Sequence, residues 1–205
     1  MEHLEFLVEE PSMEAALMAI VPKVLGTAQS FSIHAHQGKL DLLTKLVARL
    51  RAYRRWLLPT FGVVVIIDED RQDCKALKRR LEDAAHEARL VTRARNRNAF
   101  EVINWIAIEE LEAWFLGDAD ALEATYPGTR RIIARRRDLR DPDRVGGGTW
   151  EALEAVLQAA GYHRGGLRKI EAARAVAQRM NLERNQSRSF QGLVRALRDT
   201  VEAAN

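Results

Sequence analysis

An apolar run that ends in acidic residues is the part of this sequence most suggestive of chemistry. Residues 61–67 read Phe-Gly-Val-Val-Val-Ile-Ile, and Asp68 and Asp70 follow closely. Such a run is typical of a strand buried on both faces, and open α/β sheets bind ligands at the carboxyl ends of their strands. Two carboxylates at an Asp-x-Asp spacing in an extended segment point the same way. Because like charges repel, we expect a cation there, with Mg²⁺ or a similar hard ion as the first choice.

A second pair of acids, Glu9 and Glu10, follows an earlier apolar segment, residues 4–8. The carboxyl ends of neighbouring parallel strands line one crevice, so Glu9 can face Asp68 and Asp70. One glutamate and two aspartates give an oxygen-only ligand set, which Mg²⁺ and Mn²⁺ prefer. Such an ion activates a water molecule or stabilises a phosphoryl transition state. Three solvated acids in loops would show the same spacing, so the spacing alone leaves both interpretations open.

Further acids extend this candidate site. We include Glu10 and Asp73 among the candidate metal ligands, and Glu109 is a candidate additional acid because it directly follows a predicted strand. Glu109 and Glu112 are three residues apart and therefore share one helix face. A helix N-terminus enriched in acids for the helix dipole explains this pair equally well.

Basic residues are concentrated in the second half of the chain, although the net charge of the whole is only +3. An acidic site beside a basic surface suits a metal ion and a polyanion acting together. A solvated, arginine-rich surface is the alternative interpretation. The candidate contacts to phosphate or nucleic acid are Arg71, Arg135, Arg136, Arg168, Lys169 and Arg188.

Two polar groups have both a structural and a functional interpretation. Residues 185–190, Asn-Gln-Ser-Arg-Ser-Phe, precede a predicted helix, so Ser187 or Ser189 is either its N-cap or part of a phosphate contact. His34 and His36 share one face of a predicted strand. No third ligand is evident near them, and we therefore favour a structural role over metal binding.

Composition and missing motifs exclude several classes. The 205 residues, 47% hydrophobic and 30% charged, fit a globular protein of one domain, or one domain with an appendage. Cys74 is the single cysteine, which excludes an internal disulfide and a cysteine-based zinc site. Neither a phosphate-binding Gly-x-x-x-x-Gly-Lys loop nor a Gly-x-Ser-x-Gly elbow occurs. The absence of a membrane-spanning run and of a signal pattern predicts a cytoplasmic protein.

Alternating strand and helix patterns in the first half must position the acids. Apolar β-branched segments predict strands at residues 4–8, 31–36, 61–67, 90–92 and 101–106. Amphipathic segments predict helices at residues 13–21, 41–58, 73–89 and 109–116, with Ser12 as the N-cap of the first. This order predicts an α/β fold with a mostly parallel sheet flanked by helices.

After Asp118 the pattern contains helices only. We therefore predict an α/β core over residues 1–118 and a helical, arginine-rich region over residues 119–205 that packs on the core. The expected helices are residues 120–125, 149–160, 166–180 and 189–203. The arginine-rich stretch 130–144 is the predicted mobile loop.

These residues carry a resemblance to known families. Glu9 after the first strand and Asp68-x-Asp70 after a later strand resemble the Toprim domain of topoisomerases, primases and overcoming-lysogenization-defect nucleases. Over most of its length the chain resembles the bacterial domain-of-unknown-function family 4276, a Toprim-like group. The segments that carry this second resemblance are residues 7–10, 67–74, 108–115 and 185–190.

The resemblance implies Mg²⁺- or Mn²⁺-dependent phosphodiester chemistry, as in a nuclease acting on nucleic acid. In that scheme Glu9 is the general acid/base or a ligand, and Asp68 and Asp70 hold the metal. Toprim proteins often have glycine after the first glutamate, whereas Glu10 here would either strengthen metal binding or crowd the phosphate. Relatives often work beside an ATPase in defence against phage, which implies a partner ATPase. An oligomer is compatible with this scheme.

Two other functions compete with a nuclease. A non-catalytic module that binds nucleic acid or a partner ATPase would have the same fold without turnover. A receiver-like signalling domain would also place acids after its first and third strands. That domain needs a lysine after its last strand, and residues 107–109, Ala-Ile-Glu, contain none. The receiver is therefore the least favoured of the three.

Overall fold

The computed structural model describes residues 1–26 and 29–202, which contain a sheet of four parallel strands. The strands are β1 (His3–Val8), β2 (Ser30–Ala35), β3 (Phe61–Asp68) and β4 (Val102–Ala107). Their order across the sheet is β2-β1-β3-β4. The strand order therefore reverses between β1 and β3, which is the position where open α/β sheets bind ligands. The α/β fold predicted from the sequence is confirmed, and its sheet matches a Toprim-like arrangement.

Helices surround the sheet and make up most of the second half. They are α1 (Pro11–Leu25), α2 (Lys39–Trp56), α3 (Cys74–Glu87), α4 (Glu112–Leu116), α5 (Ala119–Thr125), α6 (Thr129–Arg135), α7 (Thr149–Ala159), α8 (Lys169–Arg179) and α9 (Arg188–Glu202). The predicted end of the last helix, Ala203, lies outside the described residues. Among the described helices none is both long and apolar enough to cross a membrane.

Alternate side chains of β3 enter two separate cores, because successive residues of a strand face opposite ways. Val64 and Ile66 pack on the side of α1 and the helices of the second half. Val63 and Val65 pack on the side of α2 and α3. Asp68 shares the parity of Ile66 and therefore belongs to the first side. The helices after residue 118 complete the first core. The predicted boundary between residues 118 and 119 stays a prediction.

The predicted loop over residues 130–144 is wrong. It contains α6 and two short 3₁₀ turns, Arg137–Leu139 and Pro142–Arg144. Ile132 and Ile133 pack against the first core, and this apolar contact outweighs the arginines around them. The predicted strand at residues 90–92 is reduced to a single bridge, in which Thr92 pairs with Val102.

Two predicted helix starts also differ from the structure. The first helix begins at Pro11 after Glu10, so Ser12 is not its N-cap. Proline suits the first helical position because its missing N–H would have no partner there. The helix expected from residue 109 begins at Glu112, since Glu109 has a φ of 61° and cannot belong to a right-handed helix.

His34 in β2 and His36 directly after it have structural partners. His34 Nε2 lies 2.6 Å from Glu5 Oε2, and His3 Nε2 lies 3.0 Å from the other oxygen of the same carboxylate. His36 Nδ1 is 2.9 Å from the carbonyl oxygen of Val8. These contacts join the rim of β2 to β1, in agreement with the structural role favoured from the sequence.

Candidate functional site

Glu9 and Asp68 meet at the point where the strand order reverses. Glu9 follows β1, Asp68 ends β3, and the Asp68 N–H donates to Glu9 Oε2 at 3.2 Å. Their exposed fractions are only 9% and 5%. Asp68 Oδ1 is buried and has no hydrogen-bond partner among the described residues. Because buried carboxylate oxygens nearly always have partners, this oxygen marks a position for a bound cation or proton.

The electrostatics of the two carboxylates agree with that interpretation. Burial raises the pKa of Asp68 well above its usual value, and the negative charges of Glu9, Glu112 and Asp70 raise it further. Burial likewise raises the pKa of Glu9, although the cationic Lys39 opposes this change. A bound cation would favour the ionised form of both groups and so reverse the two shifts.

Glu112 is a third buried carboxyl at this position, and it comes from α4 in the second half. Its exposed fraction is 2%. Burial raises the pKa of Glu112 to about 7, against the opposing effect of Lys169. Its charge acts on Asp68 more strongly than that of Asp70 does. In the sequence Glu112 is noted for its three-residue spacing to Glu109, and it is also the single charged residue among the apolar residues 111–116.

Asp70 and Glu10 complete what we call the acidic cluster, defined as Glu9, Glu10, Asp68, Asp70 and Glu112. The expected extended Asp-x-Asp geometry is wrong, because β3 ends at Asp68 and Asp70 has a φ of 49°. Asp70 is consequently 40% exposed on its side chain, and Lys39 Nζ lies 2.8 Å from its Oδ2. Glu10 accepts a hydrogen bond from the Ser12 hydroxyl, and its charge also acts on Asp68.

Asp73 and Glu109 have other roles in the structure. Asp73 Oδ1 caps α3 by accepting hydrogen bonds from the N–H groups of Lys75 and Ala76. The Glu109 N–H donates to Glu69 Oε2 at 3.1 Å. Burial and then the charge of Glu69 raise the pKa of Glu109, so it belongs to a neighbouring acidic group.

The turn after β3 has an uncommon backbone. Asp70, Arg71 and Glu109 have φ values of 49°, 60° and 61°, which non-glycine residues seldom adopt. The Asp70 N–H donates to the Glu109 carbonyl at 3.0 Å and ties the turn to the segment after β4. Such conformations persist only where surrounding contacts impose them, and they cluster at functional sites.

Two lysines flank the acidic cluster. Lys39 begins α2, and its side chain is only 10% exposed where it pairs with Asp70. Lys169 begins α8, lies 4.0 Å from Glu112 Oε1 and stands 5.4 Å from the ring centre of Trp150. Burial alone would lower the pKa of Lys169, but the nearby carboxylates, chiefly Glu112, raise it. Lys169 was predicted as a phosphate contact, whereas Lys39 was missed because nothing in its local sequence distinguishes it.

Of the other five predicted phosphate contacts, three have acidic partners. Their ion pairs are Arg136–Asp138 at 2.5 Å, Arg168–Glu171 at 3.0 Å and Arg188–Asp141 at 2.8 Å. Arg135 is exposed near the end of α6. Arg71 is exposed in the turn after β3. Its guanidinium lies next to Gly148, since a Cβ added to Gly148 would be 3.0 Å from Arg71 Nη2.

The motif at residues 185–190 builds the start of α9. Ser187 Oγ accepts from the Phe190 N–H at 3.0 Å, which confirms Ser187 as the N-cap. The carboxylate of Asp143 accepts from the Ser187 hydroxyl and from the N–H groups of Arg188 and Ser189. A protein carboxylate therefore occupies the anion-binding position of this helix.

Comparison with known proteins identifies the family. The model of the family described as a domain of unknown function, DUF4276, matches residues 8–198. The chain belongs to this family. No curated protein and no solved structure matches the chain. The DUF4276 match includes every member of the acidic cluster and both flanking lysines, so the candidate site lies within the family domain.

The carboxylate oxygens of the DUF4276 site are the ligand type that a hard cation prefers, but they do not form a complete set of ligands. Within residues 1–26 and 29–202, no three side chains of His, Cys, Asp or Glu form a preorganised metal site. The partnerless Oδ1 of Asp68 beside Glu9 nevertheless fits a cation whose remaining ligands are water or phosphate oxygens. Mg²⁺ is commonly held in this way, through one or two carboxylates.

Proposed function

We propose that this DUF4276 protein is a Toprim-like, Mg²⁺- or Mn²⁺-dependent enzyme that cleaves phosphodiester bonds in nucleic acid. The observation that carries the proposal is the buried oxygen of Asp68 beside Glu9, at the reversal of strand order, which has no hydrogen-bond partner in the described part of the chain. A carboxylate in that state has a large unfavourable desolvation energy, which a cation would offset. Open α/β sheets bind their ligands at this same position.

In this proposal the carboxylates bind the ion and the lysines bind the phosphate. Asp68 and Glu9 would hold the ion, with Asp70 and Glu10 beside them. The ion would supply charge neutralisation of the phosphate and a water molecule of lowered pKa. Lys39 and Lys169, on either side, would contact phosphate oxygens as point charges. Release of Asp70 from Lys39 would free both groups for these contacts.

Glu112 would handle a proton in this scheme. Its carboxyl is buried beside Asp68, and burial raises its pKa to about 7. A group with a pKa near the working pH can both accept and donate a proton, as general acid–base catalysis needs. Glu9, the general acid/base implied by the family resemblance, would then share this role with Glu112 or act as a ligand alone.

A second candidate function is a non-catalytic module that binds nucleic acid or a partner ATPase. The ion pair between Lys39 and Asp70 favours it, because this pair occupies one of the predicted ligands. Salt-sensitive binding that is unaffected by metal, without cleavage, would identify such a module. A cytoplasmic location and a role beside an ATPase in phage defence are part of the proposal through the family resemblance alone.

Cleavage assays test the proposal directly. We expect labelled DNA or RNA to be cut with Mg²⁺ or Mn²⁺ and to stay intact with EDTA. Asp68→Asn and Glu9→Gln should each lower the rate by at least about 100-fold. Asp73→Ala, which removes only a helix cap, is the matched control and should retain activity. Equal product patterns from wild type and Asp68→Asn would refute the proposal.

A further inference from the structure

Lys39 occupies a position that is unfavourable for a lysine. It is the first residue of α2, and the partial positive charge of a helix N-terminus repels a cation there. Its side chain is also only 10% exposed, so the ammonium has lost most of its contact with water. Lys45, on the same helix, is exposed and avoids both penalties. The position of Lys39 therefore depends on the negative charges that surround it.

Those charges belong to the acidic cluster and the turn that carries Asp70. Lys39 Nζ lies 2.8 Å from Asp70 Oδ2 and donates to the carbonyl oxygen of Glu69 at 3.3 Å. The charge of Lys39 also acts on the Glu9 carboxylate, more strongly than the charge of Asp70 does. The ammonium thus interacts with acids that follow both β1 and β3.

Backbone hydrogen bonds position both partners of the Lys39–Asp70 pair. The Gly38 N–H donates to the carbonyl oxygen of Glu9 at 3.0 Å, and Gly38 has a φ of 92°, which glycine readily adopts. On the other side, the bond from the Asp70 N–H to the Glu109 carbonyl holds the turn after β3. Ion pairs between flexible surface side chains contribute little, whereas these two side chains extend from a backbone that is held in place. The pair is consequently a built-in part of the site.

The pair leaves the inner part of the cluster unsatisfied. Asp68 Oδ1 is buried without a hydrogen-bond partner in the described part of the chain, so Lys39 does not serve it. Two cations beside the same carboxylates repel each other. An ion bound by Asp68 and Glu9 would therefore weaken the hold of Lys39 on Asp70, and Lys39 would weaken the binding of the ion equally.

We propose that Lys39 is a resident counter-ion of the acidic cluster, which opposes metal binding and leaves Asp70 when a divalent cation binds. This inference rests on the proposed function and adds the regulation of its metal site. In the metal-free protein the ammonium offsets the repulsion among Glu9, Asp68 and Asp70. A pair that only joined α2 to the turn after β3 would have no effect on metal affinity.

Titration with Mg²⁺ alone, followed by calorimetry, tests this inference without any cleavage assay. Lys39→Met keeps the length of the side chain and removes its charge. We expect it to bind Mg²⁺ about tenfold more tightly, the factor for a pair that leaves Asp70 free roughly a tenth of the time. Lys45→Met is the matched control on α2, because Lys45 pairs with the distant Asp41, and should bind within about twofold of wild type.

Thermal unfolding gives a second readout. Without metal, Lys39→Met should melt about 3 °C below wild type, because the carboxylates lose their counter-ion. Mg²⁺ should then raise the melting temperature of Lys39→Met more than that of wild type at the same concentration. Lys45→Met should gain no more from Mg²⁺ than wild type does.

Three results would overturn the counter-ion assignment. They are Mg²⁺ binding by Lys39→Met that is no tighter than that of wild type, equal tightening by Lys45→Met, and tightening that persists when Asp68→Asn is added. The first two, with Mg²⁺ binding that Asp68→Asn abolishes, would leave the proposed metal site standing. Absence of Mg²⁺ binding by wild type and by Lys39→Met would refute both proposals. Tighter binding by Lys39→Met with no cleavage of nucleic acid would support the counter-ion and refute the enzyme.

Discussion

Two buried aspartates of this protein differ in how their oxygens are used. Asp118 accepts hydrogen bonds from the N–H groups of Ala121 and Asn181 and from the Arg184 guanidinium, at 2.8 to 3.1 Å. Asp68 is about as deeply buried, yet its Oδ1 has no partner among the described residues. The first aspartate is complete within the chain. The second is complete only with a cation or a proton.

The same contrast separates two regions of the molecule, the loops around Asp118 and Asp143 and the edge of the sheet. Asp143 accepts hydrogen bonds from the N–H groups of Arg188 and Ser189 at the start of α9. Asp118 accepts one from the N–H group of Asn181, and each carboxylate holds loops in place. At the edge of the sheet, burial raises the pKa of Glu9, Asp68 and Glu112, and the charges of Glu9 and Glu112 raise that of Asp68 further. Buried acids thus stabilise one region and destabilise the other, which is typical of a functional site.

The largest effect should come from Asp118→Ala. This change leaves the N–H groups of Ala121 and Asn181 without an acceptor and removes the nearer of the two carboxylate partners of Arg184. We expect the free energy of unfolding to fall by about 3 kcal/mol, measured by urea denaturation. Asp120→Ala is a suitable control, because Asp120 is a more exposed partner of the same arginine. A loss no larger than that of the control would show that Asp118 is not the hub described above.

Asp68→Asn should have the opposite sign. Removing the buried charge should raise the free energy of unfolding at pH 8 by about 1 kcal/mol. Mg²⁺ at a hundredfold excess over its dissociation constant should stabilise the wild type by about 2.7 kcal/mol and Asp68→Asn by nothing measurable. Thermal unfolding with and without Mg²⁺ measures both effects. Equal stabilisation of the two proteins would place the ion elsewhere.

Glu112→Gln should change the pH dependence of stability. The pKa of Glu112 is raised from 4.5 to about 7 in the folded protein. Between these values the folded protein holds a proton that the unfolded chain lacks, so wild-type stability falls as the pH rises. The variant should avoid this fall and gain about 3 kcal/mol over wild type between pH 4.5 and pH 8. Unfolding curves at both pH values measure the gain. The exposed Glu87→Gln should show none.

The smallest effect should come from Asp73→Ala. The cap of α3 is lost, so the free energy of unfolding should fall by about 1 kcal/mol. Mg²⁺ should still stabilise this variant as it does the wild type, because the capping role keeps Asp73 out of the cluster. If calorimetry found Mg²⁺ binding abolished, Asp73 would be a ligand, as the sequence suggested.

Much of the fold followed from local pattern. The continuous apolar run before Asp68 predicted a strand buried on both faces, and β3 is that strand. The strand and helix order predicted a parallel sheet. The same reasoning was wrong for residues 130–144, because their many arginines predicted a loop although Ile132 and Ile133 pack against the first core. It was also wrong for the N-terminus of α4. Local charge and spacing do not report a contact with a distant core or a left-handed residue.

The candidate site was predictable only in part. Glu9 and Asp68 were identified because both follow strands that a parallel sheet brings together. Lys39 was not selected and Glu112 was noted only for its spacing to Glu109, since both reach the cluster through helix packing that local spacing does not show. Asp73 was included among the candidate metal ligands and caps a helix instead.

The sequence by itself determined that an α/β sheet ends in carboxylates, because strand periodicity and abrupt changes from apolar to acidic residues are local properties. Tertiary structure alone decided which carboxylates stay unsatisfied. Burial and hydrogen bonding depend on what packs above each group, and α4 and α8 bring Glu112 and Lys169 to Asp68 from more than 40 residues away in the chain.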